Sequence, residues 1–151
     1  VHFNVDRLDS LILAHLEREA RIGFSELGRR IGLSSPAVAE RIRRLEASGV
    51  ITGYHAHIDP ASIGRGIQAI VKITIPGTEC PNIGKYAEDL RAVVECHRLT
   101  GEHSALLKVL VGSIAELESL VDRLVRIGKP SSSIVLSSPI RFRPLTDNPP
   151  P

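Results

Sequence analysis

Arg41, Arg43 and Arg44 cluster just downstream of Ser34, Ser35 and Ala37, with Glu40 between the two groups. A guanidinium is a planar fork that reads guanine O6 and N7 or, falling short of the base edges, neutralises a phosphate. Small residues at a helix start let the backbone approach a duplex closely, while the free N–H groups and the helix dipole attract phosphate. The chemistry on offer is recognition of double-stranded DNA, with Arg29, Arg30 and Arg21 as flanking phosphate contacts. Taken alone, the arginines equally suit a solvated helix face paired at helical spacing with Glu40 and Glu46. Other chemistries find less. His55, His57, His97 and His103 are joined by no Cys or carboxylate at four-ligand spacing. There is no Ser/His/Asp or Cys/His motif, phosphate-binding glycine loop or HExxH helix. No metal, cofactor or catalytic residue is expected.

The elements that must position the arginines decide between the two readings. Val38, Ile42 and Leu45 recur at helical spacing, so they turn inward and leave Ala37, Glu40, Arg41 and Arg44 on the opposite face, with Arg43 at its edge. Ser35 is expected to cap this helix, with Pro36 in the first position and Gly49 ending it. Upstream, Ser25 is expected as the cap of a helix that buries Leu27 and Ile31 and stops at Gly32 in the left-handed conformation. A helix ended by glycine and followed within a few residues by a Ser-capped one has helix-turn-helix spacing, which favours the DNA-reading face. A first helix, capped by Asp6 with Asp9 in its first turn, presents Leu8, Leu11, Ile12 and Leu16. Val50 to Ile58 carries a Thr52-Gly53 turn signal and fits a short ribbon, or wing.

Asp59 to Gly66, rich in Pro and Gly, marks a linker, and the hydrophobic period changes after it. Ile67 to Ile75 alternates as a half-buried strand, ended by Pro76 and Gly77. A helix from Ile83, strands over Val94 to Thr100 and Ser104 to Gly112, a helix from Ile114 and a last strand from about Ser132 to Phe142 complete a β-α-β-β-α-β order. That is the ferredoxin-like arrangement, an antiparallel sheet with both helices on one face. The expected fold class is α+β: a winged helix-turn-helix domain over 1–58, a linker over 59–66, a ferredoxin-like domain over 67–144 and a disordered proline-rich tail over 145–151. The uncovered face of so small a sheet predicts dimerisation.

Composition bounds the partners. The net charge is only +2, from 19 basic and 17 acidic residues, so a nucleic-acid face must come from local clustering. Aromatic residues are 3% of the chain, too few for base-stacking platforms of a single-strand binder. No apolar run reaches the roughly 20 residues of a membrane span, so no membrane partner is expected. Cys80 and Cys96 read as reduced thiols of a cytosolic protein.

The segments LDSLILAHLEREAR, IGLSSPAVAERIRRLEASGVITGYHAHIDPASIG, ECHRLTGEHSALLKV and SSSIVLSS resemble the Lrp/AsnC family of feast/famine transcription regulators from Leu8 to about Pro144. The resemblance implies a sequence-specific transcription regulator, in the cytoplasm and associated with the nucleoid, that binds double-stranded DNA and responds to an amino-acid effector. It implies homodimers that associate further, often into octamers. It also implies an effector site at the turn joining the second and third strands of the C-terminal domain, here Thr100, Gly101, Glu102, His103 and Ser104, with Ser132 completing the pocket. Backbone N–H groups of a glycine turn suit a carboxylate, and Glu102 and Ser104 are the nearest acceptors for an ammonium. Many relatives carry an acidic residue in place of Ser104 and an aromatic in place of Ala105. Two alternatives use the same scaffold: a tetrapyrrole decarboxylase-like enzyme working through His97 and His103, and a nucleoid-organising protein of low sequence preference.

Overall fold

The computed structural model describes residues 4–76 and 83–147. The chain divides into two compact units, Val1–His57 with Ile140–Pro151, and Ile58–Pro139.

The first unit holds helices α1 (Arg7–Arg18), α2 (Phe24–Ile31) and α3 (Ser35–Ala47). Ile12, Leu27, Val38 and Leu45 are fully buried where the three meet, joined by Ile22 and Ile42. Each such side chain contributes about 1.5–3 kcal/mol by leaving water. α1 opens as expected on Asp6, which forms a reciprocal capping box with Asp9. The other two caps differ by one or two residues from the sequence expectation. Gly23 rather than Ser25 precedes α2, because Leu27 N–H already bonds the Gly23 carbonyl and Ser25 falls inside the first turn. Ser34 rather than Ser35 caps α3, its hydroxyl accepting from Ala37 N–H, so Pro36 takes the second helical position. Gly32 ends α2 at φ 76°, as expected.

Two further expectations change. Val50 to Ile58 forms no ribbon: no strand is assigned there, Thr52 to Ile58 is exposed, and Ile51 N–H bonds back to the Leu45 carbonyl. The helix-turn-helix therefore lacks the expected wing. Nor are residues 145–147 part of the expected disordered tail. Ile140 onwards belongs with the first unit, and Leu145–Asp147 form a 3-10 turn held by Glu17 of α1, which accepts from Leu145 N–H and Thr146 N–H. Residues 148–151 of the expected tail lie outside the described residues.

The second unit is built on strands β1 (Ile67–Thr74), β2 (Val93–Arg98), β3 (Ala105–Val111) and β4 (Lys129–Ile134), in the antiparallel order β2-β3-β1-β4. That is the order of a ferredoxin-like sheet. Helices α4 (Ile83–Glu88) and α5 (Ile114–Val125) cover one face, where Ile83, Leu117, Leu120 and Leu124 pack on Ala69, Val71, Ile73, Leu107, Val109 and Val111. Strict alternation made β1 and β3 legible. β4 begins at Lys129, before the expected Ser132, and ends well short of Phe142. Pro130 is tolerated because β4 is an edge strand. Leu136, Ile140 and Phe142 look strand-like but are 96%, 62% and 54% exposed. Cys96 is a free, half-buried thiol whose pKa burial pushes up; Cys80 lies outside the described residues.

Candidate nucleic-acid interface

The turn between α2 and α3 is tight because Gly28 has no side chain. Leu33 N–H bonds the Gly28 carbonyl at 2.9 Å, and a Cβ on Gly28 would collide with the Leu33 carbonyl oxygen. This contact sets α3 against α2 and aims its outer face. At about 100° per residue, Glu40, Arg43 and Arg44 lie about 120° or more from the buried line through Val38, Ile42 and Leu45. Accordingly Ser34, Glu40, Arg43 and Arg44 are exposed, while Ser35 and Ala37 are half-buried at the N-terminal end. Arg43 is 70% exposed and pairs with Glu40 at 2.8 Å. Such a contact between exposed charges is weak enough to yield to a phosphate or base. Flanking the helix, Arg29 and Arg30 both hold Glu26, at 2.8 and 2.7 Å, which brings the Glu26 carboxyl down to about 2. Arg30 also reaches Glu19 at 3.7 Å.

Arg41 departs from the expectation. It lies only about 60° from the buried line, and its guanidinium turns toward α1, 2.7 Å from both Asp6 and Asp9. The Arg41 side chain is 21% exposed and that of Asp9 only 2%. The backbone N–H of Asp9 and then the Arg41 guanidinium hold the Asp6 carboxyl below the usual carboxylate range, and Asp6 and Asp9 in turn raise Arg41. Arg41 is thus an anchor between the first and third helices. The readable signal was Asp9, an acid beside the apolar positions Leu8 and Ile12, which calls for a buried cation.

The turn between β2 and β3 gathers Thr100, Gly101, Glu102, His103 and Ser104 against the end of β1. Gly101 takes φ 100°, and Thr100, Gly101 and Glu102 are exposed. Ser104 is engaged internally: its hydroxyl accepts from Ile75 N–H at 2.9 Å and its N–H donates to the Ile73 carbonyl at 2.8 Å. Thr74, which sequence reasoning missed, donates its hydroxyl to the Glu102 carbonyl and lies 3.1 Å from His103 Nδ1. Ser132 is placed elsewhere, opposite Val71 and on the helix-covered side of the sheet, since paired residues share a face. His97 stands 3.4 Å from Glu95, itself 2.6 Å from Lys108. Among the described residues no cluster of His, Cys, Asp or Glu is arranged to hold a metal ion, and no helix is long and apolar enough to cross a membrane.

Comparison with known proteins agrees with this geometry. Residues 5–46 match the model of the AsnC-type helix-turn-helix domain and residues 68–145 that of the Lrp/AsnC ligand binding domain. The chain is 40% identical over 134 residues to the uncharacterized HTH-type transcriptional regulator YezC of Bacillus subtilis, covering 89% of this chain and 95% of that one. Among solved structures, Bacillus subtilis LrpC superposes with a TM-score of 0.87 at 26% identity, covering 93% of this chain and 100% of that one. A feast or famine regulatory protein from Mycobacterium tuberculosis, complexed with L-methionine, gives 0.85 at 34% identity, covering 93% and 99%.

Proposed function

Because the chain belongs to the Lrp/AsnC family of transcription regulators, we propose that it reads DNA through Ser34, Glu40, Arg43 and Arg44 of α3, with Arg41 serving to hold that helix in place. The protein is a sequence-specific DNA-binding regulator with an amino-acid-responsive unit, not an enzyme. One observation carries the assignment of residues: Arg43 and Arg44 project from the side of α3 opposite Val38, Ile42 and Leu45, on a helix whose N-terminal Ser34, Ser35 and Ala37 leave room for a duplex. Arg29 and Arg30 would contact phosphates on either side, exchanging Glu26 for the polyanion. The place of action proposed is the cytoplasm, on the nucleoid.

For the effector, the same reading assigns the exposed turn at Gly101. The backbone N–H groups there would hold a free amino acid's carboxylate and Glu102 its ammonium. Ser104 would shape the turn rather than touch the ligand, since its hydroxyl is engaged by Ile75. The M. tuberculosis relative is complexed with L-methionine in its solved structure, which makes an apolar amino acid the first effector to try here. Partner copies are also part of the proposal: a homodimer formed on the open face of the sheet, assembling further toward an octamer.

The test uses genomic fragments selected by the wild-type protein. Arg43→Ala or Arg44→Ala should weaken binding by ~1–3 kcal/mol where the side chain reads a base. A residue that only neutralises a phosphate should instead lower the slope of log affinity against log salt by about 0.9. If both variants bind and respond to salt as the wild type does, α3 does not enter the groove by this face.

A further inference from the structure

The chain passes between its compact units twice, after His57 and after Pro139. Within the second unit, Val135, just beyond β4, donates its N–H to the Gln68 carbonyl at 2.9 Å, next to Ile67 that opens β1. Within the first unit the two passages arrive side by side, the rings of His57 and Phe142 lying 5.1 Å apart. Beyond Phe142 the returning segment is fastened to α1. Glu17 accepts from Leu145 N–H at 2.8 Å, from Thr146 N–H at 3.0 Å and from the Thr146 hydroxyl. A carboxylate that receives two successive backbone N–H groups and a hydroxyl is a built receptor, and its occupant is the chain's own C-terminal segment. Burial raises the Glu17 carboxyl, but the donors from Thr146 and Leu145 outweigh it and the net displacement is downward.

We propose that residues 140–146 form a strap, anchored by Glu17 as a positioning residue, that clasps the chain returning from β4 onto the first helix of the DNA-reading unit and so steadies that helix. The strap is held within the first unit at two points, by Glu17 at Leu145 and Thr146 and by the ring of His57 at Phe142. α1 is the lever in this arrangement. Its C-terminal turn holds the strap through Glu17, and its N-terminal turn holds α3 through Asp6, Asp9 and Arg41. Release of the strap therefore reaches the recognition helix within the first unit, along α1 and the Arg41 bridge. The consequence for DNA rests on the function proposed above; the strap itself does not.

The experiment is amide hydrogen exchange on the full chain, read by peptide mass, for wild type, Glu17→Ala, Glu17→Gln and Phe142→Ala, with DNA affinity measured on the same samples. In the wild type the peptide spanning 140–146 should be protected. Glu17→Ala should speed its exchange on the order of tenfold or more, the equivalent of one charge-assisted hydrogen bond, and raise exchange in α1, while β1 and β3 stay as they were. Glu17→Gln, which keeps a carbonyl acceptor, should restore part of the protection. Alanine is the stronger helix former, so lower intrinsic helix propensity cannot explain a loss in Glu17→Ala. Affinity for a selected fragment should fall about two- to tenfold in Glu17→Ala and Phe142→Ala, with the salt slope unchanged. An unprotected 140–146 peptide in the wild type, or the same exchange in Glu17→Ala, overturns the strap. Free exchange in the variants with unaltered DNA affinity overturns its role in steadying the recognition helix. Failure of the wild type to bind DNA would instead refute the proposed function, leaving the exchange data to decide the strap.

Discussion

Removing Arg41 would leave Asp9 charged, 2% exposed and without its cation. Loss of one partner from a fully buried pair costs about 3–5 kcal/mol; here Arg41 is 21% exposed and Asp6 more so, which argues for about 2 kcal/mol. Arg43, on the outer face, should change stability by no more than ~0.5 kcal/mol when cut to alanine. Urea unfolding of Arg41→Ala and Arg43→Ala side by side checks the division of labour, and equal midpoints would end the claim that Arg41 is an anchor. Tyr54 offers a second test within the same unit. Its ring borders a groove lined by Leu16, Ile22 and Phe24, and its hydroxyl donates to Glu46 at 2.9 Å. Burial first, then the Glu46 carboxylate, push the phenol up to about 12. The fold therefore favours the neutral phenol: its contribution is complete below the ordinary value of 10.0 and is lost as pH climbs from there through about 12. In a Tyr86→Phe background, ultraviolet titration should find this late ionisation, and Glu46→Gln should move it back toward 10.0. An unmoved titration would show that Glu46 has no part in it.

Elements were legible from sequence wherever the controlling interaction is local. Val38, Ile42 and Leu45 define α3, and the alternation in β1 and β3 defines the sheet, because each periodicity states which side faces the core. The ribbon expected at Val50 to Ile58 and the strand expected up to Phe142 failed for the opposite reason. A strand exists through its partner, and apolar alternation does not say whether one is present. The site divides in the same way. Arg43 and Arg44 could be placed from the helical period alone, whereas Arg41 was decided by acids 32 and 35 residues away in the chain. Gly28 belongs to this scale too, since its missing Cβ is what lets the turn cross α2. Gly28→Ala should destabilise the first unit by about 1–3 kcal/mol through overpacking against the Leu33 backbone. Thermal melts followed by amide protection should show α2 and α3 opening earlier while β1 and β3 hold. A variant as stable as the parent would mean the turn can shift without loss.

For the whole molecule the second face of the sheet is decisive. Ile70, Leu106 and Leu110 are half-buried on it, with Lys72 exposed and the Glu95–Lys108 pair at its side. A small sheet with helices on one face buries too little apolar surface to be indifferent to the other. The homodimer proposed above would cover it and would also suit DNA, because two joined recognition helices engage half-sites about one helical turn apart. Linking two weak readers raises affinity through effective concentration, by factors of about 10² to 10⁴. A charge at the centre of the open face should remove both benefits together. In Leu106→Glu, sedimentation should report a smaller particle, the melting temperature should lose its dependence on protein concentration, and affinity for a two-half-site fragment should fall by about 10² or more. Affinity for a single half-site should barely change, since α3 is untouched. If the particle keeps its size, the contact between copies lies elsewhere. If it shrinks while two-site affinity holds, each α3 reads DNA on its own and assembly serves another purpose.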